Sequence, residues 1–287
     1  MKECLWLVFG LFFLSRFFFL ADYPHFYDSP EYFRESLSTN FWQSIAVSHQ
    51  SIHLLYLFLT QSFQKIAIGL TGQPQVWVLS LISAILGLMS FFTFYFLIKR
   101  LFGEKTALFS LIPLIFFPHL WLIQTNVLHE AIEQGLFLFG LFFFDLFLEK
   151  RKIHWIILVV LSWGLAIFNF VGILVWFPAA LGLVIFRSKK KQIKENLAIF
   201  FLSAFLSFGL AVVWFYTTLS FTIVDPRERI RALLLGQGGI LWTNWRLLDI
   251  CRVLRNNFLI LFRGYSAAAI LGGLIAFVYL IRQKITS

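Results

Sequence analysis

Apolar residues gather along this chain in long runs separated by short polar stretches. The runs cover roughly 4–21, 52–70, 75–98, 106–123, 127–148, 153–168, 170–186, 196–219 and 258–281. A helix of ~20 apolar residues crosses a ~30 Å hydrocarbon layer, and most of these runs approach that length with almost no charge. The pattern predicts an all-α polytopic membrane protein, read as one integral membrane domain over 1–287. One run differs. In "SIHLLYLFLTQSFQKIAIG", His53, Thr60, Gln61, Gln64 and Lys65 fall within about a third of the circle at ~100° per residue, with only Leu57 between them. That suits a helix lying in the membrane interface. The reading is therefore about eight transmembrane helices plus one interfacial helix over 52–70.

Charge supports that choice. If 52–70 does not span, one side receives Lys2, Lys99, Arg100, Lys105, Lys150, Arg151, Lys152, Arg187, Lys189, Lys190, Lys191, Lys194, Arg282 and Lys284, against Glu3, Glu104, Glu149 and Glu195. Basic loops stay in the cytoplasm, so both termini are expected there. If 52–70 did span, the "RSKKKQIK" run would lie outside. Two larger loops remain on the outer side, 22–74 and 218–257. The N-terminal run 4–21 lacks a convincing small-residue cleavage site and reads as an uncleaved anchor.

Composition adds little beyond this. The chain of 287 residues is 60% hydrophobic with a mean hydropathy of +0.82 and a net charge of +10. In a membrane protein that charge is explained by topology, not by nucleic acid. Cys4 and Cys251 give neither a disulfide framework nor metal spacing. His49 and His53 lie four apart but in no HExxH pattern, so no zinc motif is read there. "GQGG" at 236–239 lacks the Lys-Ser/Thr of a phosphate loop, and no serine-triad signature occurs.

Polar residues collect on the outer side. The acids Asp22, Asp28, Glu31, Glu35, Glu130, Glu133, Asp225, Glu228 and Asp249 all fall there, although topology does not require it. In "DSPEYF", Asp28 can cap a helix that Pro30 and Glu31 open. A carboxylate beside Phe26, Tyr27 and Tyr32 at a membrane surface is also a candidate general base. Glu130 and Glu133 open the run at 127–148. Either the helix dipole accounts for them, or, sharing a face, they look into the bundle as site residues. The second outer loop holds Arg227, Arg229, Arg231, Arg246, Arg252 and Arg255 without a lysine. Arginine suits bidentate phosphate recognition, against the plainer reading of general headgroup contact. Arg16 and Lys65 could join such a site.

The order of several short elements resembles a known class. "YDSPEYF" precedes "SIHLLYLFL", which is similar to an "HPPL" or "HPLY" element. Then come "FYFLIKRLFGEKTAL", the proline-containing "LIPLIFFPHLW", and "NVLHEAIEQGLFLFGLFFF" with an acid at its start. Over about residues 1–190 the chain resembles the N-terminal module of GT-C membrane glycosyltransferases, which include protein O-mannosyltransferases and aminoarabinose transferases of lipid A. The resemblance implies a sugar moved from a polyprenyl-phosphate donor to a hydroxyl acceptor, generally with inversion, at the outer face of the plasma membrane. It implies Asp28 as catalytic acid or base, Glu130 as the second acid, and His53 and Lys65 near the donor phosphate. Arg227, Arg229 and Arg231 are the further phosphate candidates, with Glu31, Glu133 and Arg16 as accessory ones. The expected partners are the donor, the acceptor and membrane lipids. A monophosphate leaving group can be served by Arg and Lys alone, so no cofactor or metal is required, although nearby carboxylates could hold a divalent ion. The rival classes are a non-catalytic protein that binds or flips a lipid-linked sugar, and a transporter, for which no internal repeat is seen.

Overall fold

A computed structural model describes residues 2–23, 29–38, 41–42 and 53–220. Among them 87% are helical and no strand occurs. The helices are α1 (Lys2–Phe17), α2 (Ser29–Ser36), α3 (Leu54–Thr71), α4 (Val76–Phe102), α5 (Glu104–Ile115), α6 (Pro118–Thr125), α7 (Glu130–Lys150), α8 (Ile153–Asn169), α9 (Phe177–Arg187) and α10 (Ile193–Ser220). A 3₁₀ helix (Val171–Trp176) links α8 to α9, and a 3₁₀ turn (Lys190–Gln192) leads into α10. Among the described residues three segments are long and apolar enough to cross a membrane: Val76–Phe102, Glu130–Lys150 and Lys190–Thr218. The expected final run, 258–281, and the outer loop from 221 onward lie outside the described residues.

Helices α4, α7, α8 and α10 pack side by side in that order. Their core is aromatic: Phe137 and Phe144 of α7 stack on Trp163 of α8, and Phe200 of α10 meets Trp163 edge-on. Gly140 makes this approach feasible. A Cβ there would lie 2.1 Å from Trp163 Nε1, and small residues are what let membrane helices come this close. Trp163 Nε1 donates to the Phe137 carbonyl at 3.3 Å, so its one polar atom is satisfied. Elsewhere the surface is lined by exposed Leu70, Phe116, Phe201 and Phe205, as expected of helices whose solvent is lipid.

Two expectations need correction. The run at 106–123 is not one helix: α5 ends at Ile115 and α6 starts at Pro118. Pro118 pushes the preceding Phe117 to φ −70°, ψ 111°, because its ring disfavours helical geometry at the residue before it. The carbonyls thereby freed at the end of α5 go to Arg16. Its guanidinium donates to Ile115 O at 2.7 Å and Leu114 O at 3.3 Å, and its Nε donates to Gln124 Oε1 at 3.1 Å. The cation lies 4.1 Å from the Phe12 ring centroid. A cation at a helix C-terminus meets both its orphan carbonyls and its dipole. Arg16 thus ties α1, α5 and α6 together, and it also donates to Ser15 Oγ at 2.8 Å.

The second correction concerns α3. The helix forms where expected, but its polar arc faces protein. His53, Thr60, Gln61 and Gln64 are buried, whereas Phe58, Phe63, Ile66 and Leu70 are exposed. Gln61 Nε2 donates to Glu35 O at 3.0 Å, Thr60 Oγ1 to Leu57 O at 3.0 Å, and the Gln64 amide closes on the Gln75 backbone. Lys65 alone of the arc is exposed. Where the outer solvent is hydrocarbon, amides and hydroxyls gain more from partners inside.

At the far ends of α4, α7 and α9, Asp145 is fully buried (0% exposed). Arg100 Nε and Arg187 Nε each donate to one of its oxygens at 2.5 Å, and both arginines also reach Glu149. Arg100 and Arg187, basic residues of the cytoplasmic loops by sequence, also clamp three helix ends on one carboxylate.

Candidate active site

At the opposite end, α3 and α7 begin and α8 ends. Helix α3 starts after His53, whose side chain does not cap it. The orphan N–H of Tyr56 donates instead to Asn169 Oδ1 at 2.9 Å. Asn169 closes α8, so one helix's final residue caps another's first turn. Its Nδ2 donates to Glu133 Oε1 at 2.9 Å, and its backbone oxygen lies 3.1 Å from His53 Nδ1. Phe170, in extended geometry (φ −157°, ψ 116°), ends α8 at this point.

Helix α7 presents His129 at its N-cap position and Glu133 four residues on. Residues so spaced share a face, and His129 Nδ1 hydrogen-bonds Glu133 Oε1. His53 Nδ1 is 3.7 Å from the same oxygen. The two imidazoles stack, with centroids 3.5 Å apart and planes at 22°. Tyr32 of α2 packs edge-on against His53, His129 and Tyr56, and Phe170 lies 5.3 and 5.4 Å from the two histidine rings. Val127, Ile132, Leu79 and Ile82 continue this packing around Tyr32 and Tyr56. Burial first, and the neighbouring His129 second, push the His53 imidazole well below its usual range. His53, His129 and Glu133 each offer a ligand atom within 4.8 Å of the other two.

The predicted site residues distribute unevenly. His53 lies in the cluster. Glu133, expected only as an accessory, is its centre and is buried. Glu130 sits at the rim, with a side chain 36% exposed, 4.0 Å from His129 Nε2. Lys65 lies twelve residues along α3 from His53, about 18 Å at 1.5 Å per residue, and does not join them. Glu31 pairs with Arg34 on the exposed face of α2, and Arg16 is held at the α5–α6 break. Helix α2 begins at Ser29, next to Asp28, as the capping pattern predicts. Asp28 itself, and Arg227, Arg229 and Arg231, lie outside the described residues. Asn169, His129 and Tyr32 carry the cluster without having been singled out as site residues. The one local signal is the His129–Glu133 spacing; Asn169 shows in the sequence only as the gap between the runs 153–168 and 170–186.

Comparison with known proteins agrees with this architecture. A family model described as dolichyl-phosphate-mannose-protein mannosyltransferase matches residues 53–232, opening at His53 and containing α3 to α10. The match spans more than half of the chain, and the chain belongs to that family. It is a membrane glycosyltransferase of the GT-C kind. No curated protein and no solved structure matches.

Proposed function

We propose that this protein transfers a sugar from a polyprenyl-phosphate donor to a hydroxyl acceptor at the extracytoplasmic face of the plasma membrane, with inversion at C1. In this reading both termini are cytoplasmic and about eight helices span. Asp28 takes the acceptor's proton as the acceptor oxygen forms its bond to C1. The bond from C1 to the phosphate oxygen breaks, and the polyprenyl phosphate leaves with the electron pair. Arg227, Arg229 and Arg231 stabilise the charge on the departing phosphate. Glu130, half-open at the start of α7, is the second acid and orients the acceptor or the sugar.

The observation that supports this reading best is the placement of Tyr32. It lies four residues after Asp28 and is wedged against His53 and His129, at the start of the family's matched segment. The first outer segment and the acidic start of α7 therefore meet around one buried cluster. In this reading Lys65, about 18 Å along α3 from His53, is left out of the phosphate set, and His53 enters as a residue that positions its neighbours.

The decisive experiment uses membranes containing the full chain and a radiolabelled polyprenyl-phosphate sugar. Asp28→Asn should abolish transfer while donor binding persists, and Glu130→Gln should lower it strongly. Wild-type binding without any transfer to lipid, glycan or protein acceptors would favour a binding or flipping role. Unchanged transfer in Asp28→Asn would remove the catalytic assignment. Replacing Arg227, Arg229 and Arg231 together by Gln should weaken donor binding; unchanged affinity would leave them as headgroup contacts.

A further inference from the structure

The buried acid Glu133 is surrounded in an unusual way. Taking a carboxylate out of water is costly unless a cation or a full set of donors accompanies it. Among the described residues no Lys or Arg comes within ion-pair distance of Glu133; its partners are His129, His53 and the Asn169 amide. Asp145, the other fully enclosed acid of the same helix, has two guanidiniums. The Glu133 pocket instead gathers two imidazoles and one carboxylate, all buried, with one ligand atom of each within 4.8 Å of the others.

We propose that His53, His129 and Glu133 bind one divalent zinc ion. Two imidazoles and a carboxylate form a recognised three-ligand zinc set, with bonds of about 2.0–2.2 Å. Imidazole donors suit zinc and its transition-metal neighbours, whereas purely oxygen cages suit magnesium or calcium. The surroundings have the form that metal sites require. The Asn169 carbonyl sits at His53 Nδ1, and the Asn169 amide holds Glu133 Oε1. Outer partners of this kind fix the ring orientation and ligand direction. The ion pins the start of α3 to the start of α7, and through Asn169 to the end of α8. Its charge also lies next to Glu130, at the rim of the cluster. None of this depends on sugar transfer.

The test uses the full-length chain purified in detergent, stripped with a chelator, reloaded with zinc sulfate and passed through gel filtration. Elemental analysis should return one zinc per monodisperse chain. His129→Gln and Glu133→Gln should each weaken zinc binding by more than the roughly 10- to 100-fold expected for losing an outer partner, the range predicted for Asn169→Ala. His154→Gln, which alters an exposed histidine of α8 outside the cluster, should change nothing. With cobalt(II) as probe, the wild type should show the strong visible bands of a four-coordinate site. His129→Cys should keep the metal and add a thiolate-to-cobalt charge-transfer band, which decides the question even where the glutamine variants fail to fold. A folded wild type that retains no zinc overturns the proposal. So does zinc that persists undiminished in both glutamine variants, or a folded His129→Cys chain without the new band.

Discussion

Helix α7 carries one buried carboxylate near each end, and the two are treated differently. Asp145 is fully enclosed and grips Arg100 and Arg187, which carry charge at every physiological pH. Glu133, twelve residues earlier and about 18 Å away along the axis, is held by an amide and two histidines. The first arrangement is a clamp. Its charge state is fixed, and it joins the ends of α4, α7 and α9. The second has partners that can accept a cation in its place, and it lies beside Tyr32 and Glu130 at the start of α7. Burial of a carboxylate alone therefore does not mark function in this chain. What marks it is burial with partners whose own charge can change.

The largest expected effect tests the clamp. Asp145→Asn leaves two arginines facing a neutral amide, and breaking a buried ion pair costs about 3–5 kcal/mol. Thermal unfolding in detergent should show a large fall in midpoint, while transfer per folded molecule is retained; a loss of transfer at full stability would invert the comparison. Arg16→Met should come next, at about 2–3 kcal/mol, because Ile115 O and Gln124 Oε1 lose a buried donor. Its donor affinity should be unchanged, and a specific loss of donor binding would restore Arg16 to the phosphate site. Asn169→Ala strips the Tyr56 N–H and Glu133 of partners, a cost of about 2 kcal/mol visible in the same melting experiment. In the metal-stripped chain, Glu133→Gln keeps the shape and the Asn169 contact and should cost only about 1 kcal/mol. If it destabilises as much as Asp145→Asn, the two ends of α7 are alike after all. Lys65→Gln, on the exposed face of α3, should stay within about 0.5 kcal/mol and leave donor affinity intact.

Much of the helical architecture was legible in the hydrophobic runs. The helix starts at Ser29 and Glu130, and the break at Asn169, follow local rules of capping and turn chemistry. The break before Pro118 followed the same kind of rule, yet the apolar run hid it. The candidate cluster was less accessible. His53 and Asn169 are 116 positions apart, and Asn169 and Glu133 are 36 apart. A scan for ligand spacing within one segment cannot join them. The polar arc of α3 was found correctly, but its direction depended on what surrounds the helix. Periodicity supplies a face and not the identity of the medium it meets.

That inward-turned arc has a consequence for how the chain is made. Gln61 and Gln64 find partners in Glu35 and Gln75, which are synthesised close to them. The Tyr56 N–H and the His53 ring depend on Asn169, which emerges from the ribosome more than a hundred residues later. Until then the start of α3 has no internal acceptor from α8 and must draw on interfacial water. Its final seating is a late event in biogenesis, and Asn169 is the residue that ends the wait.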